Sequence, residues 1–173
     1  MRVDKQVWMQ LMLAGVLFYS TMVSALDIPS GLDFNGILGQ VRDEIGSAIT
    51  IRQELETRLF RENFTTDDLT AVREMTACLK TALEKIVYEH IRALALVIDD
   101  KDLDMLFVKN SDLLTNVIWT LNKLGENLKQ YADSGSSFKL ADSREYCMQF
   151  KAEFENAPRD MNDMIQRVVK FVK

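Results

Sequence analysis

The chain has 173 residues, of which 47% are hydrophobic and 27% are charged, and its net charge is −5. This length suits one ordinary domain with an apolar core. The acidic excess argues against nucleic acid and anionic membrane surfaces as partners.

Residues 1–25 have the layout of a secretory signal peptide. Arg2 and Lys5 give a basic start, a mostly apolar run follows, and small residues lead up to Ala25. The pattern predicts cleavage after Ala25, which leaves residues 26–173 as a single secreted, extracellular domain. An uncleaved anchor helix is the alternative, but the run is shorter than the roughly 20 residues that a bilayer requires. After signal removal we expect no membrane span.

Apolar residues then recur every three and four positions, which is the period of an amphipathic helix. We expect a first helix from about Asp33 to Glu62 and a second from Thr66 to Ile98. Thr65 and Asp68 have the spacing of a capping box, which predicts the start of the second helix.

A third helix is expected from Leu103 to Tyr131, after a short acidic link at residues 99–102. Such a short link favours an antiparallel pair of helices. A Ser/Gly loop at residues 134–137 precedes a fourth helical segment, and Pro158 predicts that this segment is kinked or split. The sequence therefore predicts an all-α fold, an antiparallel up-and-down bundle of about four helices.

Two covalent modifications are predicted for the secreted part. Cys78 and Cys147 have one intramolecular pairing in an oxidising compartment, and this disulfide would tie the fourth segment to the second helix. Two buried free thiols or an intermolecular bridge are the alternatives. Asn63-Phe64-Thr65 is a glycosylation sequon between two predicted helices, so we expect a glycan on Asn63.

The sequence offers little for catalysis or metal binding. His90 is the one histidine, and its place on the apolar stripe is typical of a core histidine with one hydrogen bond. No nucleophile motif accompanies it. An EF-hand loop starting at Asp100 would need glycine and glutamate where Met105 and Ser111 stand. We therefore expect a protein that is not an enzyme, with no catalytic residues, no metal and no cofactor.

The wide apolar faces of the helices favour simple core packing, and a bundle that encloses a lipid or other apolar ligand is the alternative. The residues that would line such a pocket are Met75, Leu79, Leu83, Val87, His90, Leu94, Val117, Leu121 and Leu124. Trp119 falls toward the polar side of the third helix, so it is either covered by the fourth segment or exposed for a partner.

From Asp33 to Gln130 the chain resembles the small secreted allergens of house-dust mites that are built from three long antiparallel helices. The stretch Lys101-Asp102-Leu103-Asp104-Met105 followed by Asn110 carries the resemblance, together with the spacing from Leu32 to Ile45. The resemblance implies a non-enzymatic secreted bundle that holds hydrophobic ligands and dimerises, and it transfers no site residues. Those allergens lack cysteines and the fourth segment.

These observations predict a secreted binding protein that carries a lipid or other apolar small molecule between its helices. The alternative is a secreted protein-binding effector or cytokine-like factor, of salivary, venom or reproductive-fluid type, whose partner is a protein receptor or a second copy. Short helix connections count against the usual cytokine topology, which needs long crossovers.

Overall fold

A computed structural model describes residues 33–172, which are almost entirely helical. The predicted signal peptide, residues 1–25, lies outside the described residues. The elements in chain order are α1 (Phe34–Leu59), α2 (Thr66–Lys85), a π-helical segment (Ile86–Ile91), α3 (Arg92–Val97), α4 (Lys101–Ser134), α5 (Ser137–Phe154) and α6 (Ala157–Val172). The α2 helix, the π-helical segment and α3 form one continuous helical run, because the backbone stays helical at both junctions.

The helices pack as an antiparallel up-and-down bundle, as predicted. The α1 helix contacts α2, α2 contacts α4, and α4 contacts both α5 and α6, which also touch α1 and close the bundle. Two contacts show the direction of α5. Arg144 donates from Nε to the carbonyl oxygen of Leu59 at the end of α1 (3.0 Å). Lys151, two turns further along α5, pairs with Glu56, which precedes Leu59 on α1.

Local polar contacts set the ends of the helices. Thr65 and Asp68 form the predicted capping box at the start of α2, with the Asp68 amide donating to Thr65 Oγ1 (3.1 Å). The hydrogen bond from the Thr65 hydroxyl, aided by the charge of Arg61, holds the pKa of the Asp68 carboxyl below its usual value. Asp100 caps α4, and Gly135 ends it with a left-handed backbone (φ 64°).

The split predicted in the last helical segment is present. The α5 helix ends at Phe154 and α6 begins at Ala157. Pro158 lies in the first turn of α6, where a backbone N–H has no partner within the helix. The helical run is therefore interrupted at residues 155–156 and resumes in α6.

The core runs along the bundle axis and takes buried apolar side chains from all of these helices. Its largest fully buried side chains include Phe150 and Phe154, whose rings stack with centroids 5.6 Å apart. Within residues 33–172, no helix is both long and apolar enough to cross a bilayer.

The structure corrects the prediction of one disulfide, because both thiols are free. Cys78 is exposed on α2, whereas Cys147 on α5 is fully buried. Cys147 lies near Glu56 and Arg52 of α1, and burial raises the pKa of its thiol to about 12, with the charge of Glu56 adding to the effect. A thiol that faces solvent on one helix cannot pair with one that is sealed in the core unless a helix rotates.

Candidate functional site

The nine residues predicted to line an apolar pocket meet in the core. Met75 is half-buried and the other eight are buried. Seven of those eight belong to the continuous apolar cluster, and His90 is the polar exception. Three surface grooves are described below, and Leu121 is the only one of the nine predicted residues that lines any of them. At these positions the side chains pack against one another and fill the space between the helices.

A polar cluster stands in this core beside the π-helical segment. His90 is 5% exposed, and its Nε2 lies 3.2 Å from Oε2 of Glu44 on α1. The other carboxylate oxygen of Glu44 accepts a hydrogen bond from Lys85 Nζ (2.6 Å), which raises the pKa of Lys85 above its usual value. Neither His90 Nε2 nor Glu44 Oε2 has a hydrogen bond of good geometry. His90 is thus a core residue, as predicted, but the hydrogen bond expected for it is not made at Nε2.

The π-helical segment itself was not foreseen from the sequence. Its buried side chains are Ile86, Val87, His90 and Ile91. That spacing also fits a wide apolar stripe on an ordinary α-helix, so the sequence pattern does not indicate a π-helical turn. Single π-helical turns are frequent at functional sites. The cluster of Glu44, Lys85 and His90 beside this segment is therefore a candidate functional site.

The cluster of Glu44, Lys85 and His90 lies apart from the three described grooves. A general base must come within hydrogen-bond distance of its substrate, and none of the three described grooves includes His90 or Glu44. Among the described residues, no group of three or more His, Cys, Asp or Glu side chains could hold a metal ion. The π-helical segment packs against α1, and His90 and Glu44 meet at that contact.

Of the three described grooves, the one with the greatest volume, about 570 Å³, lies between α4 and α5. We call it the Trp119 groove; its lining residues are Leu113, Asn116, Trp119, Gln149 and Glu153. Trp119 is 53% exposed, so the fourth segment does not cover it. Lys123 Nζ lies 5.8 Å from the centre of the Trp119 ring. The Glu153 carboxylate accepts hydrogen bonds from the Thr120 hydroxyl (2.7 Å) and the Gln149 amide (2.8 Å).

Trp119 is one of three large apolar side chains on the outward face of α4. Met105 is 71% exposed and Val108 is 60% exposed. Their spacing from Trp119 places all three on one face, and 14 residues of helix extend about 21 Å. We call Met105, Val108 and Trp119 the outer stripe of α4.

The two other grooves are smaller. One, of about 270 Å³, lies where α1 meets the break between α5 and α6, beside Ile49 and Pro158. The other, of about 330 Å³, lies between α2 and α4, beside Thr76 and Gly125.

The predicted glycosylation position lies in the turn between α1 and α2. Asn63 is exposed, whereas the next residue, Phe64, is half-buried and packs on the ring of Tyr131 with centroids 6.0 Å apart. The turn therefore presents the Asn63 side chain outward, and its modification stays a prediction.

By its fold the chain is an all-α up-and-down helical bundle. It matches no protein-family model, and no curated protein or solved structure shows significant similarity to it. The resemblance to the dust-mite allergens stays an expectation from the sequence.

Proposed function

We propose that this chain is a secreted, non-enzymatic binding protein that engages a protein partner through the outer stripe of α4 and the Trp119 groove. The observation that carries the proposal is the exposure of three large apolar side chains along one helix face. Large apolar side chains exposed on one surface are typical of protein interaction sites. Met105 and Val108 are neighbours one helical turn apart, and Trp119 lies about three turns further along the same face, beyond the exposed Asp112 and Thr115.

The composition of this surface supports a protein partner. Tryptophan is enriched among the few residues that contribute most to binding energy at interfaces. Around Trp119, the polar side chains of Asn116, Gln149 and Glu153 would form a rim of hydrogen-bonding groups, and an apolar centre with a polar rim is the usual anatomy of an interface.

Between the two functions expected from the sequence, the packing of the core favours the protein-binding alternative. A ligand between the helices at the nine predicted positions would have to displace side chains that already pack against one another. Protein interiors are close-packed, so such a displacement costs several van der Waals contacts per side chain. The outer stripe of α4 is available without any rearrangement.

The proposal includes that the protein is secreted and that it is not an enzyme. The basic and apolar layout of residues 1–25 and the exposure of Asn63 support secretion. The burial of His90 supports a non-enzymatic role.

The test is competitive binding to cells of the source organism. The full chain is expressed in eukaryotic cells, and the secreted product is purified and fluorescently labelled. Unlabelled Trp119→Ala is expected to compete at least about 30-fold more weakly than the unaltered protein, because truncation at an interface hot spot costs about 2 kcal/mol or more. Phe138→Ala is the matched control, since Phe138 is 80% exposed but lies on α5 away from the groove.

Two results would overturn the proposal. One is the absence of saturable, competable binding, and the other is equal competition by Trp119→Ala and the unaltered protein. Native mass spectrometry of the same secreted product distinguishes protein binding from the alternative function of lipid transport. An apolar molecule bound one to one would favour lipid transport between the helices.

A further inference from the structure

The groove between α2 and α4 lies on the side of α4 away from α5. We call it the α2–α4 groove, and its volume of about 330 Å³ is within the range of small-molecule sites. Its lining residues are Arg73, Thr76, Ala77, Lys80, Leu121, Asn122, Gly125, Glu126 and Lys129.

The floor of the α2–α4 groove is apolar and is formed by small side chains. Ala77 and Gly125 place almost no side chain there, and Leu121 is buried beneath it. The Thr76 hydroxyl donates to the carbonyl oxygen of Val72 (2.7 Å), so its methyl group is left to face α4. A Cβ on Gly125 would lie 3.8 Å from that methyl group, which shows that the two helices meet at this point through small groups alone.

The rim of the groove is positively charged, although the chain as a whole is acidic. The groove is bordered by three cationic side chains, Arg73, Lys80 and Lys129, and by one carboxylate, that of Glu126. The Glu126 carboxylate already pairs with Lys123 (2.9 Å). Lys80 has a loose contact with its neighbour Glu84 (3.7 Å), but within residues 33–172 neither Arg73 nor Lys129 has an ion pair.

Arg73 and Lys129 lie at the same end of the groove. Thr76 on α2 is opposite Gly125 on α4, and the two helices are antiparallel. Arg73 comes about one turn before Thr76, and Lys129 comes one turn after Gly125, so the two unpaired cations face the same region. Two like charges over an apolar floor favour a ligand that brings a negative charge.

We propose that the α2–α4 groove binds a single-chain fatty-acid anion. The alkyl tail lies along the floor formed by Ala77, Leu121 and Gly125, and the carboxylate pairs with Arg73 and Lys129. The planar guanidinium of Arg73 suits two-point binding of a carboxylate. Most of the exposed surface in the groove is apolar, although six of its nine lining residues are polar or charged. An apolar surface with a few convergent polar groups is typical of small-molecule sites. This site is independent of the outer stripe of α4 and does not rest on the proposed function.

The experiment compares dodecanoate with dodecanol by isothermal titration calorimetry on the full secreted chain, with both probes below the concentrations at which they aggregate. The two probes share a tail and differ in charge. Dodecanoate is expected to bind at one site with at least tenfold higher affinity than dodecanol. Equal affinity for the two probes would contradict a role for the cations.

Three variants locate the binding. The double variant Arg73→Gln/Lys129→Gln is expected to lose at least tenfold in dodecanoate affinity while its dodecanol affinity stays unchanged. Arg42→Gln/Lys170→Gln removes the same charge from exposed positions on α1 and α6 and is expected to bind dodecanoate normally. Gly125→Leu fills the floor without removing a cation and is expected to abolish binding of both probes.

Each opposite result rejects the site. A loss in Arg42→Gln/Lys170→Gln as large as in Arg73→Gln/Lys129→Gln would mean that only net charge matters. Full binding by Gly125→Leu would mean that the tail lies elsewhere. Gly125 lies where α2 and α4 meet, so a leucine there can also push the helices apart. Ala77→Leu, at an exposed position on the same floor, is therefore the second filling variant and is expected to abolish binding of both probes, and circular dichroism checks that both variants remain folded.

Discussion

Cys78 and Cys147 should differ sharply in their reactivity toward thiol reagents. Alkylation requires the thiolate, and burial raises the pKa of the Cys147 thiol to about 12. At pH 8 that value leaves about one Cys147 side chain in 10⁴ as thiolate, and the side chain is also closed off from reagent. Cys78 is exposed. We therefore expect one label per folded chain, on Cys78, and two labels once the chain is unfolded.

The assay is maleimide labelling of the secreted protein at pH 8 without reductant, followed by intact mass measurement and peptide mapping. Cys78→Ser is the control, and in its folded form it should take no label. One result would refute the reasoning: a chain that takes no label when folded or unfolded, and two labels only after reduction. That outcome would mean that the disulfide expected from the sequence forms after all and that α2 and α5 are rotated relative to the structure.

The same buried thiol makes the folded state sensitive to alkaline pH. Because its pKa is raised on folding, Cys147 stabilises the folded chain below about pH 8.5, and this contribution falls as pH rises toward 12. The expected loss is about 1.4 kcal/mol per pH unit in that window. Urea unfolding at pH 8 and pH 10 measures it. Cys147→Ala should lose less stability between these two pH values, and an identical loss in both proteins would contradict the assignment to Cys147.

Three further predictions concern the turns that join the helices. Thr65→Ala removes the side-chain cap of α2 and should lower the free energy of unfolding by about 1 kcal/mol in urea titrations, whereas Thr66→Ala, one residue into the helix, should change it little. Gly135→Ala should destabilise the chain by about 1 kcal/mol because the backbone at Gly135 is left-handed. Gly39→Ala, in open space on α1, should stabilise it by up to about 1 kcal/mol. A change in the free energy of unfolding with the same sign in both variants would be evidence against the backbone argument. Asn63→Gln should abolish the mass that glycosidase removes from the secreted chain, and glycosidase-sensitive mass that persists in this variant would place the glycan elsewhere.

The helical layout could be predicted from the sequence because its signals are local. The three-and-four period places apolar side chains on one stripe wherever the rest of the chain happens to lie. The capping pair of Thr65 and Asp68, the glycine at position 135 and the proline at position 158 act on the backbone within one turn. Short links between the helices then leave an antiparallel bundle as the simple way to bury those stripes.

The candidate sites could be predicted only in part. Trp119 was placed on the polar side of its helix, but whether α5 covers it depends on how the two helices are offset. Eight of the nine predicted pocket residues are buried and Met75 packs against the core, yet the pattern does not distinguish a pocket from a filled core, because both need the same apolar stripe.

The sequence by itself determined that this protein is a bundle of amphipathic helices, where those helices begin and end, and which faces they bury. The tertiary structure alone decided the offset between neighbouring helices and the exact rotation that brings the edges of their apolar faces together. That rotation exposes Cys78 while it seals Cys147 in the core, places Glu44 against His90, and opens the α2–α4 groove. The physical reason is that a helical period fixes only the apolar face, whereas the contacts at its edges depend on the side chains of a neighbour that is distant in sequence.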